Sequence, residues 1–227
     1  MSIVAAIPLR SLATGKQRLR HYFSDDGRQS LIFTLCLRSI NAVIESGMCD
    51  HILLISQDAP LLEWMSQTVP GIIPLLQRSE GLISALWQGN NEALRRGATT
   101  YCTLHADLPL LTVASVNQLL TPLTENDDPT VVIAGDRFHT GTNALVVRPL
   151  GAIPFRFGEN SFARHIDAAT SQHMNTIIST DVLLECDLDV PADVAYLEQN
   201  HAELWHDLLA EADTWRTTAQ TIVSTSR

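Results

Sequence analysis

The chain has 227 residues, enough for one large domain with a substantial buried core. With 45% apolar and 18% charged residues, it is neither a disordered nor a fibrous chain. Its formal net charge of −10 argues against broad binding to nucleic acid or to an anionic membrane surface, both of which need basic surface, but leaves room for a small anionic ligand, which responds to local charge. Cys36, Cys49, Cys102 and Cys186 are widely spaced, with no C-x-x-C pair and no signal-peptide pattern. They read as reduced thiols of a cytoplasmic protein. No apolar run approaches the ~20 residues of a membrane span, so no membrane partner is expected.

In chain order, "IVAAIPL" (3–9) predicts a buried strand. "SDDGRQSLIFTLCLRSINAVIESG" predicts a helix that Ser/Asp residues cap and Gly47 closes. "HILLIS" (51–56) is the second strand, "DAPLLEWMSQTV" a helix with Pro60 in its first turn, and "GIIPLL" (71–76) a third, weaker strand. "GLISALWQGNNEALRRG" (81–97) predicts the next helix, and "TTYCTLHADLP" a strand running into Asp107. This alternation is that of parallel βαβ units. "PTVVIAGD" (129–136) and "GTNALVVRP" (141–149) lie too close for a parallel crossover, so an antiparallel insertion or a mixed sheet is expected. "NSFARHIDAATSQ" (160–172) predicts a capped helix, "NTIIS" and "LLECDLD" two apolar strand runs, and the residues after Pro191 a helix. The fold class expected is α/β, one domain over residues 1–200 with a mixed, mostly parallel sheet. Residues 201–227 add a C-terminal amphipathic helix and a polar tail, and the helix packs either on its own domain or on a second subunit of a homodimer.

Asp187 and Asp189 in "ECDLDVPADVAYL" crowd beside Glu185 at the end of an apolar run. One reading is a solvated turn with Asp189 as the N-cap of the next helix. The other is a metal site: Asp107 also follows an apolar strand, and strand carboxyl ends form the ligand crevice of open parallel sheets. Three carboxylates, an all-oxygen donor set, suit Mg²⁺. The first loop, "PLRSLATGKQRLR", carries Arg10, Lys16, Arg18 and Arg20 in an otherwise acidic protein, and Lys16 is the only lysine. Such a loop suits a polyphosphate, although it is neither a P-loop nor a dinucleotide fingerprint; ordinary surface salt bridges are the alternative. Thr140, Thr142, Asn143, Gly158 and Ser161 form a third group of small donors, with Ser161 at a helix start, where anions bind or where simple capping suffices. His105 reads as strand-end packing, His165 and His173 as helix-surface residues, and the four tryptophans as core or interface.

The strings "HADLPLL", "DRFHTGTNALVVRP", "IPFRFGENSFARHI" and "CDLDVPADVAYL", with the opening "IPLRSLATGKQRL", strongly resemble the 2-phospho-L-lactate guanylyltransferase family of coenzyme F420 biosynthesis, over residues 3 to 197. That family includes members acting on phosphoenolpyruvate or 3-phosphoglycerate. The resemblance implies a single Rossmann-like nucleotidyltransferase domain of the GT-A type. It places Asp107, Asp187 and Asp189 at the magnesium site and Thr142, Gly158 and Ser161 against the phospho-acid. Lys16 and Arg18 then hold the GTP phosphates, and Arg10 and Gly81 fall in nucleotide-binding segments. Three departures stand out: Arg10 replaces a frequent lysine, Ile83 in "GLISAL" a common asparagine, and His139, beside the acceptor pocket, a usual glycine.

The implied reaction joins GTP to a phosphorylated three-carbon acid and releases pyrophosphate. The acceptor's phosphate monoester, with a second pKa of ~6, is already largely dianionic at neutral pH, so the missing Ser, Cys or His nucleophile system is expected. The resemblance also implies a transient hand-over of the labile product to a downstream transferase. A nucleotidyltransferase using CTP or another NTP, a GT-A glycosyltransferase and a non-catalytic nucleotide-binding relative are the alternatives.

Overall fold

The computed structural model describes residues 1–125 and 127–225. Among the described residues, seven strands form one sheet: β1 (Ile3–Leu9), β2 (His51–Ser56), β3 (Ile72–Leu76), β4 (Thr100–Leu104), β5 (Thr130–Gly135), β6 (Thr142–Arg148) and β7 (Asn175–Ile178). Their order is β3-β2-β1-β4-β6-β5-β7. β6 runs antiparallel to both β4 and β5, while the other pairings are parallel. The short 135–142 connection enforces that reversal, since it allows a hairpin and no crossover. The mixed sheet expected from the sequence is therefore present.

Both faces of the sheet are covered, and the strands show why. Ile3, Ala5, Ile7 and Leu9 of β1 enter one core, and Val4 and Ala6 enter the other. The first core is closed by α1 (Asp25–Ser46), α2 (Ala59–Thr68) and α4 (Val113–Leu120). The second is closed by α3 (Leu82–Arg95) and α5 (Ser161–Ser171). The helix ends follow local chemistry. Ser24 accepts from the Gly27 amide at 3.2 Å, Gly47 closes α1 at φ 62°, and Asp58 accepts from the Leu61 amide at 3.2 Å. The α4 helix has no counterpart in the sequence reading, although Thr112 and Ser115 form a reciprocal cap at its start.

Two expectations are overturned. Residues 183–189 are not a strand. Leu184, Cys186 and Leu188 are buried with a period of two, but the backbone joins no ladder. Instead, the Leu188 amide donates to the Asp107 carbonyl at 3.0 Å, and the Asn143 side chain donates to the Leu184 carbonyl at 2.9 Å. The second correction concerns the expected polar tail. After α6 (Pro191–Asn200) and α7 (Ala202–Thr214), residues Arg216–Thr225 form α8, which buries Ala219, Ile222 and Val223 in the first core; residues 226–227 lie outside the described residues. Its apolar face explains the helix. Trp215 stands 5.6 Å from Phe33 and 6.0 Å from Trp64, ring centre to ring centre, so α7 and α8 pack on α1 of their own domain.

Trp215→Ala therefore destabilises the whole domain, by ~2 kcal/mol for a half-buried aromatic cluster, in one cooperative urea transition. A separate early transition, with the main one unmoved, would mark α7 and α8 as an independent appendage.

Candidate active site

The strand order reverses at β1 and β4: successive strands lead away from β1 on one side, and β4 lies on the other. Such a switch point opens a crevice at the carboxyl ends of the strands. The loop after β1 and the turn after β4 meet there.

Buried groups on two helices hold the first loop. Asp58 Oδ2 accepts from the Leu12 amide at 3.4 Å and the Ser11 hydroxyl at 3.3 Å. Arg28 of α1, itself buried, donates to the Gly15 carbonyl at 2.7 Å. Gly15 packs so closely that a Cβ there would lie 2.5 Å from Ile32 Cδ1. The loop then delivers Lys16, at φ 51°, into the crevice. Its ammonium lies 2.8 Å from Asp107 Oδ2 and 2.9 Å from Asp189 Oδ1.

Asp189 is available for that contact because it does not cap the following helix. Asp193 Oδ2 does so, accepting from the Asp189 and Val190 amides, each at 2.8 Å, while its other oxygen pairs with Arg137. The capping reading of Asp189 is thus excluded. Asp107, Asp187 and Asp189, together with Thr142, Gly158 and Ser161, line a cavity of about 150 Å³.

Burial alone would lower the Lys16 pKa, but Asp107 and Asp189 offset it and the pKa is raised, so the ammonium stays charged. Burial likewise opposes ionisation of Asp107, yet Lys16 and His105 hold its carboxyl below the usual range. Asp187 has no such cation. Burial first, then the charges of Asp107, Asp189 and Asp193, push it up to about 7.

Among the described residues, no group of three His, Cys, Asp or Glu side chains is already gathered in a metal-holding arrangement. The Lys16 ammonium stands between two of the three acids. The donor set nevertheless suits a hard cation. Asp107 Oδ1 is buried with no hydrogen-bond partner, and Asp187 faces like charges.

The opposite wall of the cavity is built from β6 and α5. Thr142 opens β6, and Ser161 opens α5, where its amide donates to the Gly158 carbonyl at 3.1 Å. Gly158 has φ 111° with nothing within 4 Å of a Cβ, so its backbone edge stays open to the cavity. His139 lies outside the cavity lining. It is exposed at φ 53° and stacks on Phe162 at 4.8 Å. That left-handed backbone gives a physical reason for the glycine of the family pattern. Arg10 and Arg18 are exposed on the first loop, and Gly81 begins α3 at φ 92°; none of the three lines the cavity, whereas the neighbouring Leu82 does.

Four structural participants escaped the sequence reading: Arg28, Asp58, Asp193 and His165. Asp58 and Asp193 carry a detectable signal, an acid flanking a proline at a helix start. His165 is a correction. Expected on a helix surface, it is fully buried, with Thr142 Oγ1 at 3.0 Å from Nδ1 and the Arg156 amide at 2.9 Å from Nε2. His105 is half-buried, lines the same cavity beside Asp107 and stands against Phe157, ring centres 5.3 Å apart.

The mixed sheet is a nucleotidyltransferase fold, and a basic loop and acids meet at its switch point. Solved structures with this fold include 4-diphosphocytidyl-2C-methyl-D-erythritol synthase from Anaerococcus prevotii, with TM-score 0.57, 14% identity and coverage of 89% of this chain and 99% of that one. A nucleotidyl transferase from Methanothermobacter matches with TM-score 0.56, 13% identity and coverage of 88% and 98%. The family described as guanylyl transferase CofC like matches residues 3–201, and the chain belongs to it. Phosphoenolpyruvate guanylyltransferase of Sphaerobacter thermophilus is 36% identical over 197 residues, 87% of this chain and 93% of that protein. The enzyme of the same name from Rubrobacter xylanophilus is 36% identical over 198 residues, 87% and 94%. The 2-phospho-L-lactate guanylyltransferase of a Methanocaldococcus species is 26% identical over 188 residues, 83% and 78%. Among the described residues, no helix is long and apolar enough to cross a membrane.

The raised pKa of Asp187 sets a pH dependence. Folding favours its proton, so the stability it contributes is full below its ordinary pKa of 3.8 and lost as pH rises through about 7. In metal-free buffer, Asp187→Asn therefore gains stability over the wild type as pH rises from about 4 to about 7, and the gain then levels off. Parallel urea-unfolding profiles for the two proteins would contradict this placement of Asp187.

Proposed function

We propose that this protein joins GTP to a phosphorylated three-carbon carboxylic acid and releases pyrophosphate, as a step of coenzyme F420 biosynthesis. The acceptor is phosphoenolpyruvate, 2-phospho-L-lactate or 3-phospho-D-glycerate. The observation that carries this reading is one cavity lined both by Asp107, Asp187 and Asp189, two of them bridged by Lys16, and by the Thr142 and Ser161 hydroxyls, the Gly158 backbone and Asp136, whose carboxylate is engaged by Thr140 and Phe138. The acids with Lys16 suit a metal-bound triphosphate, and the Thr142 and Ser161 hydroxyls suit a small anion. The names of the guanylyltransferase relatives support the choice of GTP and phospho-acid.

An oxygen of the acceptor's phosphate monoester attacks the α-phosphorus of GTP. The bond from that phosphorus to the bridging oxygen breaks, and pyrophosphate leaves with the electron pair. The attacking oxygen is already deprotonated, so no side chain must remove a proton. The obstacle is repulsion between two anions, and the chain's own answer is Lys16. Its ammonium is desolvated, charged and held by a loop of fixed geometry, which suits the phosphates of GTP better than a solvated surface lysine would. Arg10 and Arg18 border the same loop and add positive charge at the mouth. Asp107, Asp187 and Asp189 are the residues that would hold Mg²⁺, which when bound neutralises charge on the triphosphate. The diester product then passes to a downstream transferase.

Pyrophosphate release is the direct assay. With GTP and Mg²⁺, turnover is expected with at least one of the three phospho-acids, lost on EDTA treatment and restored by Mg²⁺. Competition among the three acids, with products resolved by mass spectrometry, identifies the acceptor. Release with CTP or UTP but none with GTP would overturn the base assignment. Lys16→Ala lowers kcat/KM by roughly 10²- to 10³-fold, the usual cost of removing one charge-stabilising donor. An unchanged kcat/KM in that variant would remove Lys16 from the chemistry.

A further inference from the structure

The buried His165 has a hydrogen-bond pattern that fixes where its proton sits. The Arg156 backbone amide lies 2.9 Å from Nε2, and an amide N–H only donates. Nε2 is therefore an acceptor and carries no proton. Burial first, then the charges of Arg164, His105 and Arg156, lower the ring's pKa to about 4, so the imidazole is neutral at physiological pH. Its single proton lies on Nδ1 and donates to Thr142 Oγ1, 3.0 Å away. Thr142 accepts this bond, and its own hydroxyl proton has no other partner among the described residues. Thr142 lines the cavity.

We infer that His165 is a positioning residue that turns the Thr142 hydroxyl into a fixed hydrogen-bond donor aimed at the anionic acceptor. This rests on the proposed reading of the cavity as the phospho-acid site. The direction of one proton matters there. A threonine hydroxyl offers a donor or a lone pair according to its rotation, and a lone pair repels a carboxylate. Were Nδ1 bare, it would draw the Thr142 proton away from the cavity and leave oxygen facing oxygen. The same ring also ties the 154–158 loop to α5, since Arg156 immediately precedes Phe157 and Gly158. Its contact with Phe157, ring centres 4.8 Å apart, reinforces that tie. One side chain thus sets the proton of Thr142 and holds the segment that presents Gly158.

Two substitutions separate these roles. In His165→Gln the side-chain carbonyl replaces Nε2 as the acceptor for Arg156 and the donor to Thr142 is lost. In His165→Asn the amide nitrogen replaces Nδ1 as that donor and the acceptor is lost. His165→Gln is expected to raise the acceptor KM about 10- to 100-fold, the range for a hydrogen bond to a charged group, with the KM for GTP unchanged. His165→Asn recovers most of that loss. In a Thr142→Val background, His165→Gln adds no further rise in the acceptor KM. Equal damage to both KM values by both variants, or full additivity with Thr142→Val, would reduce His165 to a packing role. The tautomer is measured independently by long-range ¹H–¹⁵N NMR of the wild-type protein, with His165 assigned by its loss in the variant. A proton on Nδ1 is expected, and a proton on Nε2 overturns the inference whatever the kinetics. Absence of turnover with all three phospho-acids would instead count against the functional reading, and the NMR result would still decide the direction of the hydrogen bond.

Discussion

The Lys16 ammonium lies between Asp107 and Asp189, and three separate parts of the chain are arranged so that they meet. Carboxylates so close resist burial together; two like charges at about 4 Å repel by ~4 kcal/mol at an effective dielectric constant of 20. A cation between them reverses the sign. The surrounding structure serves that meeting: Arg28 and Asp58 fix the first loop, Asn143 and the Asp107 carbonyl fix the acid segment, and Asp193 relieves Asp189 of the helix cap. The fold's contribution is to bring incompatible charges to one place and keep them there.

Lys16 balances only part of the negative charge. Asp187 remains without a cation, and one oxygen of Asp107 is buried without a partner. A site in this state favours incoming positive charge at its acid wall, while the raised pKa of Lys16 keeps a cation ready for phosphates. The rest of the lining includes Asp136, whose carboxylate accepts from Thr140 and Phe138, and Thr142, whose hydroxyl meets His165 Nδ1 at 3.0 Å.

The sequence carried the sheet because its strands are two-sided apolar runs and its helices are capped by residues with local signals. It also carried the placement of Asp107, since an acid directly after a buried strand has few other places to go. It misled at residues 183–189. Leu184, Cys186 and Leu188 alternate as in a strand, but the pairing partners are a side-chain amide and one turn carbonyl, which no local pattern encodes. His165 was missed although it lies three residues after Phe162 and four before Ala169, on the buried face by which α5 packs on β5 and β7. The C-terminal segment reads as polar by composition, yet three well-spaced apolar residues suffice to dock α8.

The central claim is that the acid wall holds a divalent cation beside the bound nucleotide. A crystal of the protein grown with Mn²⁺ and a non-hydrolysable GTP analogue tests it by anomalous scattering. The expected result is a peak within bonding distance of Asp107 and of Asp187 or Asp189, with the Lys16 ammonium moved onto the phosphates. Nucleotide bound with no peak among these carboxylates, and Lys16 still bridging Asp107 and Asp189, would contradict it.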